Sequence, residues 1–395
     1  MFKALLQLPK TIWLIGVISF INDCASEMLY PLMPLYLATV LMAGPKTLGL
    51  IEGVAEATSS LVKLFSGVLV DYSGRPKKFI VFGYTLAAIS RPLILLTNSW
   101  IWVMFVRFSD RVGKGLRTSP RDALLAASAS SEQRGLVYGF HRAMDNAGAV
   151  FGPLLAAMFI SMHVSLEHIF LWAIIPGVVT VALTLMLKDP PTIVQIQPTQ
   201  FSWNMAAMPK QFKHYLVALA LFTLGCSSDM FILLRARELG LSLVEIPLVW
   251  AGINLMAAIF GTPLSALSDR WGRRNLLIFG WGAYVLFYVL MALMPRDSQW
   301  IYLLFAGYGL FKASTEGVEK AFVADIAPPG LVGTAFGWFN LIAGVMLFPA
   351  SFIFGWLYES ISPSVAFGFS GICGLLGIIV LQFWVFRSRQ EIIPT

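Results

Sequence analysis

Residues 67–75 read Gly-Val-Leu-Val-Asp-Tyr-Ser-Gly-Arg, and residues 265–273 read Ser-Ala-Leu-Ser-Asp-Arg-Trp-Gly-Arg. The two stretches share an aspartate, a glycine and an arginine at the same spacing. Their aspartates, Asp71 and Asp269, are separated by 269 − 71 = 198 residues. Further matches at or near this offset are Lys114 with Lys312, Gly135 with Gly333, Gly139 with Gly337, and Cys24-Ala-Ser26-Glu27-Met28 with Cys226-Ser-Ser228-Asp229-Met230. The chain therefore contains two copies of one structural repeat.

The composition around these repeats is that of an integral membrane protein. Hydrophobic residues make up 57% of the 395 residues and charged residues only 12%, about half of the charged share that is usual in globular proteins. Apolar windows of about 20 residues, each long enough to cross about 30 Å of hydrocarbon, recur along the chain. The first window follows residues 1–10, lacks a small-residue cleavage site and contains Asp23 and Glu27. It therefore reads as a retained helix rather than a signal peptide.

Hydropathy and helix breakers together predict twelve spans in an all-α fold. The spans lie near 11–40, 47–71, 78–97, 99–125, 134–160, 166–187, 213–238, 243–268, 275–294, 299–325, 332–358 and 365–387. A proline-containing polar stretch at 188–212 separates the sets, so we expect six-helix bundles at 1–187 and 213–395, joined by a cytoplasmic linker. Because the repeats have the same topology, we expect them to be related by an axis along the membrane normal.

The distribution of basic residues predicts the orientation. Alternate short loops carry the basic residues Arg75, Lys77, Lys78, Arg134, Lys188, Lys210, Lys213, Arg270, Arg273 and Arg274, whereas the opposite loops hold little beyond Lys46 and Arg296. The positive-inside rule then places both termini in the cytoplasm, which requires an even number of spans. Ten or fourteen spans would also satisfy this requirement, and twelve fits best.

The sequence argues against several other functional classes. The three cysteines show no metal-ligand spacing, and their odd count does not suit a disulfide framework. There is no nucleophile motif, no phosphate-cradling glycine loop and no paired His–Asp metal motif, so we expect neither an enzyme nor a cofactor. The net charge of +7 comes from loop and intrahelical residues rather than from an exposed basic domain, which argues against nucleic-acid binding. A sensor would be expected to carry a soluble output domain.

The repeated loop resembles the signature of the major facilitator superfamily between its second and third helices. The signature contains a glycine, an aspartate, an arginine, a glycine and a basic pair. The matching residues are Gly67, Asp71, Gly74 and Arg75 in the first copy, and Asp269, Arg270, Gly272, Arg273 and Arg274 in the second. Tyr72 replaces the usual arginine of the first copy. The resemblance implies that Asp71, Arg75, Asp269, Arg270 and Arg273 belong to a latch that closes the cytoplasmic side; the simpler alternative is a positive-inside anchor.

The fifth span contains Gly148-Ala-Val-Phe-Gly152-Pro153-Leu-Leu-Ala156-Ala157. This stretch resembles the superfamily signature associated with proton-coupled antiporters, although Ala156 and Ala157 stand where paired glycines are usual. Small residues four apart also allow two helices to approach closely. Helix packing alone is therefore an equal explanation of these residues.

The fourth span carries seven charged residues within roughly 140° of the helix circumference. They are Arg107, Asp110, Arg111, Lys114, Arg117, Arg121 and Asp122. Charges at membrane depth face water or partners because exposure to lipid is costly. In the superfamily the first, fourth, seventh and tenth helices line the central cavity. The resemblance thus places a substrate site at Arg111, Lys114, Arg117, Arg142, Tyr30, Asp229 and Glu316. The alternative is a structural network in which these charges satisfy one another.

Three carboxylates are candidates for proton coupling: Asp23, Glu27 and Asp145. Burial and a neighbouring arginine act in opposite directions on the proton affinity of a carboxylate, so such groups can exchange a proton for another partner. On the tenth helix, Glu319 and Lys320 correspond to Arg121 and Asp122 with reversed charge. We therefore expect bridges between Arg121 and Glu319 and between Asp122 and Lys320 to close an inner gate.

The sequence predicts a monomeric secondary transporter of the bacterial inner membrane. Its excess of arginine suits carboxylate or phosphate groups, so we expect proton-coupled export of a small amphipathic or anionic solute by alternating access. Two alternatives within transport are uptake by proton symport and movement of a metal ion. An intramembrane enzyme and a non-transporting sensor are the alternatives from other classes.

Overall fold

The computed structural model describes residues 8–73, 75–96, 99–128, 134–189, 205–328 and 331–386, and these ranges contain helices and no strands. The helices are α1 Lys10–Thr39, α2 Pro45–Ser73, α3 Pro76–Leu96, α4 Trp100–Ala127, α5 Arg134–Ser161, α6 Leu166–Leu185, α7 Lys210–Glu238, α8 Glu245–Trp271, α9 Arg273–Leu293, α10 Trp300–Ile326, α11 Val332–Ser360 and α12 Pro363–Val385. Within α2, α5, α8 and α10 a few side chains lie outside the description, those of Val68, Asp71, Tyr72, Arg134, Ala266, Asp269 and Glu316.

These helices confirm the predicted spans to within a few residues at each end. Within the described ranges, nine of the twelve helices are long and apolar enough to cross a bilayer. The other three are α2, α4 and α10, which have 29, 28 and 27 residues. Each carries several charged residues: α4 has the predicted stripe, α2 contains Glu52, Glu56 and Lys63, and α10 contains Lys312, Glu316, Glu319 and Lys320. Their length, at about 1.5 Å per residue, is also sufficient to span. The cytoplasmic position of the termini remains a prediction.

Two helices are interrupted at equivalent places in the repeat. In α1 the α-helical part ends at Leu29, and Pro31 lies in a 3₁₀ turn at Tyr30–Leu32. In α7 the helix stops at Gly225 and resumes at Met230. The hydroxyl of Ser228 accepts a hydrogen bond from the Met230 N–H, which supplies a partner for the new helix start. The break places Asp229 beside a helix N-terminus.

Glycines set how closely α1 packs on α5 and α3 packs on α4. A Cβ atom added at Gly148 would lie 2.6 Å from the carbonyl oxygen of Phe20 and 3.0 Å from Cβ of Asp23. A Cβ atom at Gly83 would lie 2.6 Å from the carbonyl oxygen of Gly113, and the reverse distance is the same. The first contact brings the α5 residues around Gly148 against Asp23. The second brings the charged face of α4 against α3.

Contacts divide the chain into two compact units. Unit 1 comprises Met1–Ala43, Val54–Pro198 and Ser242–Ala251, and unit 2 comprises Gly44–Gly53, Thr199–Leu241 and Gly252–Thr395. The predicted halves 1–187 and 213–395 supply most of each unit, but the start of α2 belongs to unit 2 and the start of α8 to unit 1. Most of the predicted linker, at 190–204, lies outside the described residues, and the two-bundle boundary stays a prediction.

Candidate functional site

The charged face of α4 is largely buried within unit 1. Arg107, Arg111 and Arg117 are 6–7% exposed, whereas the side chain of Lys114 is exposed. Arg111 is ion-paired with Glu56 of α2 at 2.9 Å and lies 3.9 Å from Asp110. This pairing favours the structural-network alternative for Arg111.

A second buried network joins α3, α4 and α1. Arg91 Nε lies 3.3 Å from Asp110 Oδ1, and its NH2 group donates to Asn22 Oδ1 at 3.0 Å. Arg91 was not among the predicted site residues, although a single arginine within an apolar span is itself a signal. Asp110 and Arg111, two of the seven charged residues in the predicted α4 stripe, thus have charged partners within unit 1. A small cavity of about 30 Å³ lies beside them, with room for water.

The guanidinium of Arg117 is incompletely paired. Its Cζ atom lies 4.6 Å from the centroid of the Tyr84 ring, a cation–π contact. Its NH1 nitrogen is buried and has no hydrogen-bond acceptor among the described residues. An arginine keeps its charge in any protein environment. Arg117, one turn from the exposed Lys114, is therefore the residue of α4 best suited to receive an anion.

Two of the predicted proton-coupling carboxylates lie together between α1 and α5. The close approach at Gly148 places Asp145, one turn earlier on α5, where it interacts electrostatically with Asp23. Asn22 Nδ2 donates to Asp23 Oδ1 at 2.9 Å. Asp145 Oδ2 lies 3.9 Å from Arg121 NH1. The two carboxylates therefore form one acidic pair beside an arginine of α4.

Glu27, the third predicted proton carrier, has a different environment. Its Oε2 accepts a hydrogen bond of 2.8 Å from Trp250 Nε1. Tyr30, predicted to line the substrate site, stacks on the same indole with ring centroids 5.0 Å apart. Sequence reasoning missed Trp250 because nothing in the local pattern of α8 distinguishes it from other aromatic residues of membrane helices.

Unit 2 has a smaller cluster of polar and charged side chains around Asp229. Lys312 Nζ donates to Asp229 Oδ2 at 2.8 Å, and the hydroxyl of Tyr308 donates to Asp229 Oδ1 at 2.5 Å. Asp229 and Lys312 are the repeat partners of Glu27 and Lys114. The predicted site residue Glu316 lies in α10, but its side chain is outside the description.

The sequence matches the profile of the Major Facilitator Superfamily over residues 15–251 and 217–394. The chain belongs to the major facilitator superfamily. It is 33% identical over 384 residues to an uncharacterized MFS-type transporter of Methanocaldococcus jannaschii, covering 95% of each chain. It is also 20% identical over 298 residues to the quinolone resistance protein NorA of Staphylococcus aureus, covering 71% of this chain and 74% of NorA.

The fold matches solved structures of the superfamily. A variant of the nucleoside transporter NupG superposes with a TM-score of 0.80 at 13% identity, covering 94% of this chain and all of that chain. Family membership confirms the predicted class: this MFS protein is a multi-pass membrane transporter of small molecules rather than an enzyme.

The residues predicted for gating in this MFS protein are only partly described. The side chains of Asp71 and Asp269 lie outside the description, and Arg75 and Arg270 are exposed. Arg273 pairs with Asp325 at 3.1 Å and also donates to Ser268. The second copy of the signature thus ties the start of α9 to the end of α10.

The two predicted cross-half bridges involve residues that have partners within their own units. Arg121 contacts Asp122 at 3.3 Å, and Glu319 accepts a hydrogen bond of 2.9 Å from Trp281 Nε1. Lys320 is exposed. The bridges from Arg121 to Glu319 and from Asp122 to Lys320 remain predictions, as does the cavity position of Arg142, which is exposed on α5.

Proposed function

We propose that this MFS protein exports a small anionic or amphipathic solute in exchange for protons by alternating access. The observation that carries this proposal is Arg117, a buried guanidinium with an unpaired nitrogen in the unit that also contains the Asp23–Asp145 pair. We further propose that it acts as a monomer in a bacterial inner membrane, with both termini in the cytoplasm.

The substrate class follows from the cost of an incompletely paired buried cation. Leaving a buried charged donor without a partner costs more free energy than leaving a neutral donor unpaired. A site that contains such a donor is therefore stabilised when a hydrogen-bond acceptor binds to it. Stacking on Tyr84 covers the face of the guanidinium and leaves its edge for a carboxylate or phosphate group, the geometry that arginine binds bidentately. The exposed ammonium of Lys114 adds a second positive charge.

The coupling proposal follows from the environment of Asp145. Two carboxylates close together favour the uptake of one proton, while a neighbouring arginine favours the ionised form. Asp145 has both neighbours, Asp23 and Arg121. Its protonation state is therefore sensitive to any movement of α4 relative to α5, which is the requirement for linking a proton to a conformational change.

The direction of transport has support from two sides. The distant relation to a quinolone resistance protein and the small residues of α5 favour export. The Arg121–Asp145 contact favours uptake by symport as a second candidate, because protonating Asp145 would leave more positive charge for an anion. When the proton gradient is directed inward, proton antiport moves the solute outward and proton symport moves it inward.

A flux screen in proteoliposomes tests the proposal. A pH-sensitive dye inside the vesicles reports proton movement when organic anions, cationic drugs or divalent metals are added. We expect anions to drive proton flux, and Arg117→Leu to raise the half-saturating concentration about 10- to 100-fold, the effect of about 1.5–3 kcal/mol for a charged hydrogen bond. Arg117→Lys should retain part of the affinity.

The matched control for this screen is Arg296→Leu, because Arg296 is 77% exposed in a loop and should behave as wild type. Proton flux driven only by cations or metals, or an Arg117→Leu protein with unchanged anion affinity, would contradict the anion site.

A further inference from the structure

His141 occupies the centre of a buried polar chain that the coupling proposal has not used. It lies on α5 one turn before Asp145 and is 5% exposed. Its Nε2 lies 2.9 Å from Oγ of Ser19 on α1, and its Nδ1 lies 3.5 Å from Oδ2 of Asp145. The imidazole therefore bridges a hydroxyl on one helix and a carboxylate on its own helix.

The direction of the hydrogen bonds follows from the donors present. Arg121 NH1 is 3.3 Å from Ser19 Oγ, and a guanidinium only donates. Ser19 thus accepts from Arg121. Its one hydrogen can donate to Nε2 of His141, to Asp145 or to Tyr84. In one arrangement it donates to Nε2. The imidazole proton then lies on Nδ1, facing Asp145. An ionised Asp145 fits this tautomer because it can accept the Nδ1–H group.

A protonated Asp145 requires the opposite tautomer. Its carboxyl O–H group must donate to Nδ1, so the imidazole proton must lie on Nε2 and donate to Ser19. The Ser19 hydroxyl can then turn towards the hydroxyl of Tyr84, which lies 3.5 Å away. The net change is the uptake of one proton: the Nδ1 proton passes to Asp145, and Nε2 takes the hydroxyl proton of Ser19. The Ser19 oxygen regains a proton that originates in water, and the imidazole stays neutral.

We propose that His141 is a positioning residue for proton coupling, whose tautomer switches when Asp145 takes up a proton. The proposal rests on the proposed function and names the device within it. The charged groups that face His141 are Arg121 and Asp122 from α4, and Arg142 and Asp145 on α5. In this switch the imidazole, which is buried, exchanges tautomers and stays neutral.

The switch has a consequence for Arg121. While Asp145 is ionised, Arg121 lies 3.9 Å from its Oδ2 atom and 3.3 Å from Asp122. When Asp145 is neutral, Arg121 loses one of these two anionic neighbours. The tautomer switch of His141 therefore coincides with a weaker electrostatic attraction between Asp145 and Arg121 of α4, the helix that also carries Arg117.

Nitrogen NMR of labelled histidine tests the switch without any substrate. The chain has four histidines. Replacing the other three by His163→Asn, His168→Gln and His214→Gln leaves His141 as the single labelled imidazole. Nitrogen chemical shifts identify the protonated ring nitrogen. An infrared carboxyl band that disappears in Asp145→Asn identifies the protonation of Asp145 in the same samples.

We expect the protonated nitrogen to change from Nδ1 to Nε2 as the pH is lowered. The midpoint pH of this change should equal the midpoint pH at which the infrared carboxyl band of Asp145 appears. In the matched Asp145→Asn protein, the tautomer should be independent of pH. A His141 signal that keeps one tautomer while Asp145 protonates, or that becomes imidazolium, overturns the proposal. Because this readout does not depend on transport, it can fail while the flux screen succeeds, and the reverse also holds.

Discussion

Asp110→Asn is expected to lower the free energy of unfolding by about 3–5 kcal/mol, the usual cost of removing one partner from a buried ion pair. The Asp110 side chain is 10% exposed and that of Arg91 is 6% exposed, so bulk water does not solvate the charge that Arg91 keeps. Asn22 contacts the same guanidinium but carries no charge. The substitution therefore leaves Arg91 without an anion at 3.3 Å.

Denaturant unfolding in mixed micelles measures this effect. The matched control is Asp297→Asn, because Asp297 and its partner Arg296 are 74% and 77% exposed, and an exposed pair contributes about 0–1 kcal/mol. The double variant Arg91→Leu/Asp110→Leu should recover part of the loss, since both charges are then absent. Equal stabilities of Asp110→Asn and Asp297→Asn would mean that the buried network is not a stabilising feature.

Gly148→Val should lower the free energy of unfolding by about 1–3 kcal/mol, the range for overpacking a well-packed interface. Its Cβ atom would lie 2.6 Å from the carbonyl oxygen of Phe20, and backbone cannot rotate away as a side chain can. The helix α1 must then move, which would separate Asp23 from Asp145. Loss of stability and loss of coupling should appear together.

Gly139→Val is the control on the same helix, because no described atom lies within 4 Å of an added Cβ there. Thermal unfolding in detergent should show a clear decrease for the variant at 148 and little change at 139. If both variants unfold at the same temperature, the close α1–α5 approach is not maintained in the membrane protein.

The spans could be predicted from the sequence because hydropathy is a local property. Apolar windows and their breakers indicated all twelve helices. The charged stripe of α4 predicted a face that lines a central cavity, and in the structure Arg107, Arg111 and Arg117 of that stripe are buried in unit 1. The interruption of α7 was missed. It depends on a local hydroxyl contact from Ser228 to the Met230 N–H, and no hydropathy window resolves such a contact.

The partners of the charges could not be predicted, because they depend on which helix faces pack together. The repeat pairs Asp110 with position 110 + 198 = 308 and Arg117 with position 117 + 198 = 315, which are Tyr308 and Thr315. The two repeats therefore have residues of different chemical type at these equivalent positions. Arg91 became recognisable as a partner of Asp110 only with the α3–α4 contact.

The same divergence separates Glu27 from its repeat partner Asp229. Glu27 accepts a hydrogen bond from Trp250, whereas Asp229 is paired with Lys312 at 2.8 Å. In unit 2 the carboxylate of Asp229 thus forms a direct ion pair with Lys312 of α10. Arg117 and Asp145 each have a buried side-chain atom without a hydrogen-bond partner in the described part of the chain, and both are in unit 1. Their presence in one unit is why we assign coupling to unit 1.

The most direct test of that assignment compares gradient-driven accumulation with counterflow at equal pH, using the anion that gives the largest proton flux in the screen. Counterflow exchanges solute for solute and needs no net proton movement. We predict that Asp23→Asn and Asp145→Asn lose the response to a pH gradient and keep counterflow, while Asp297→Asn keeps both. A normal response to the gradient in both carboxylate variants would contradict proton coupling at the Asp23–Asp145 pair.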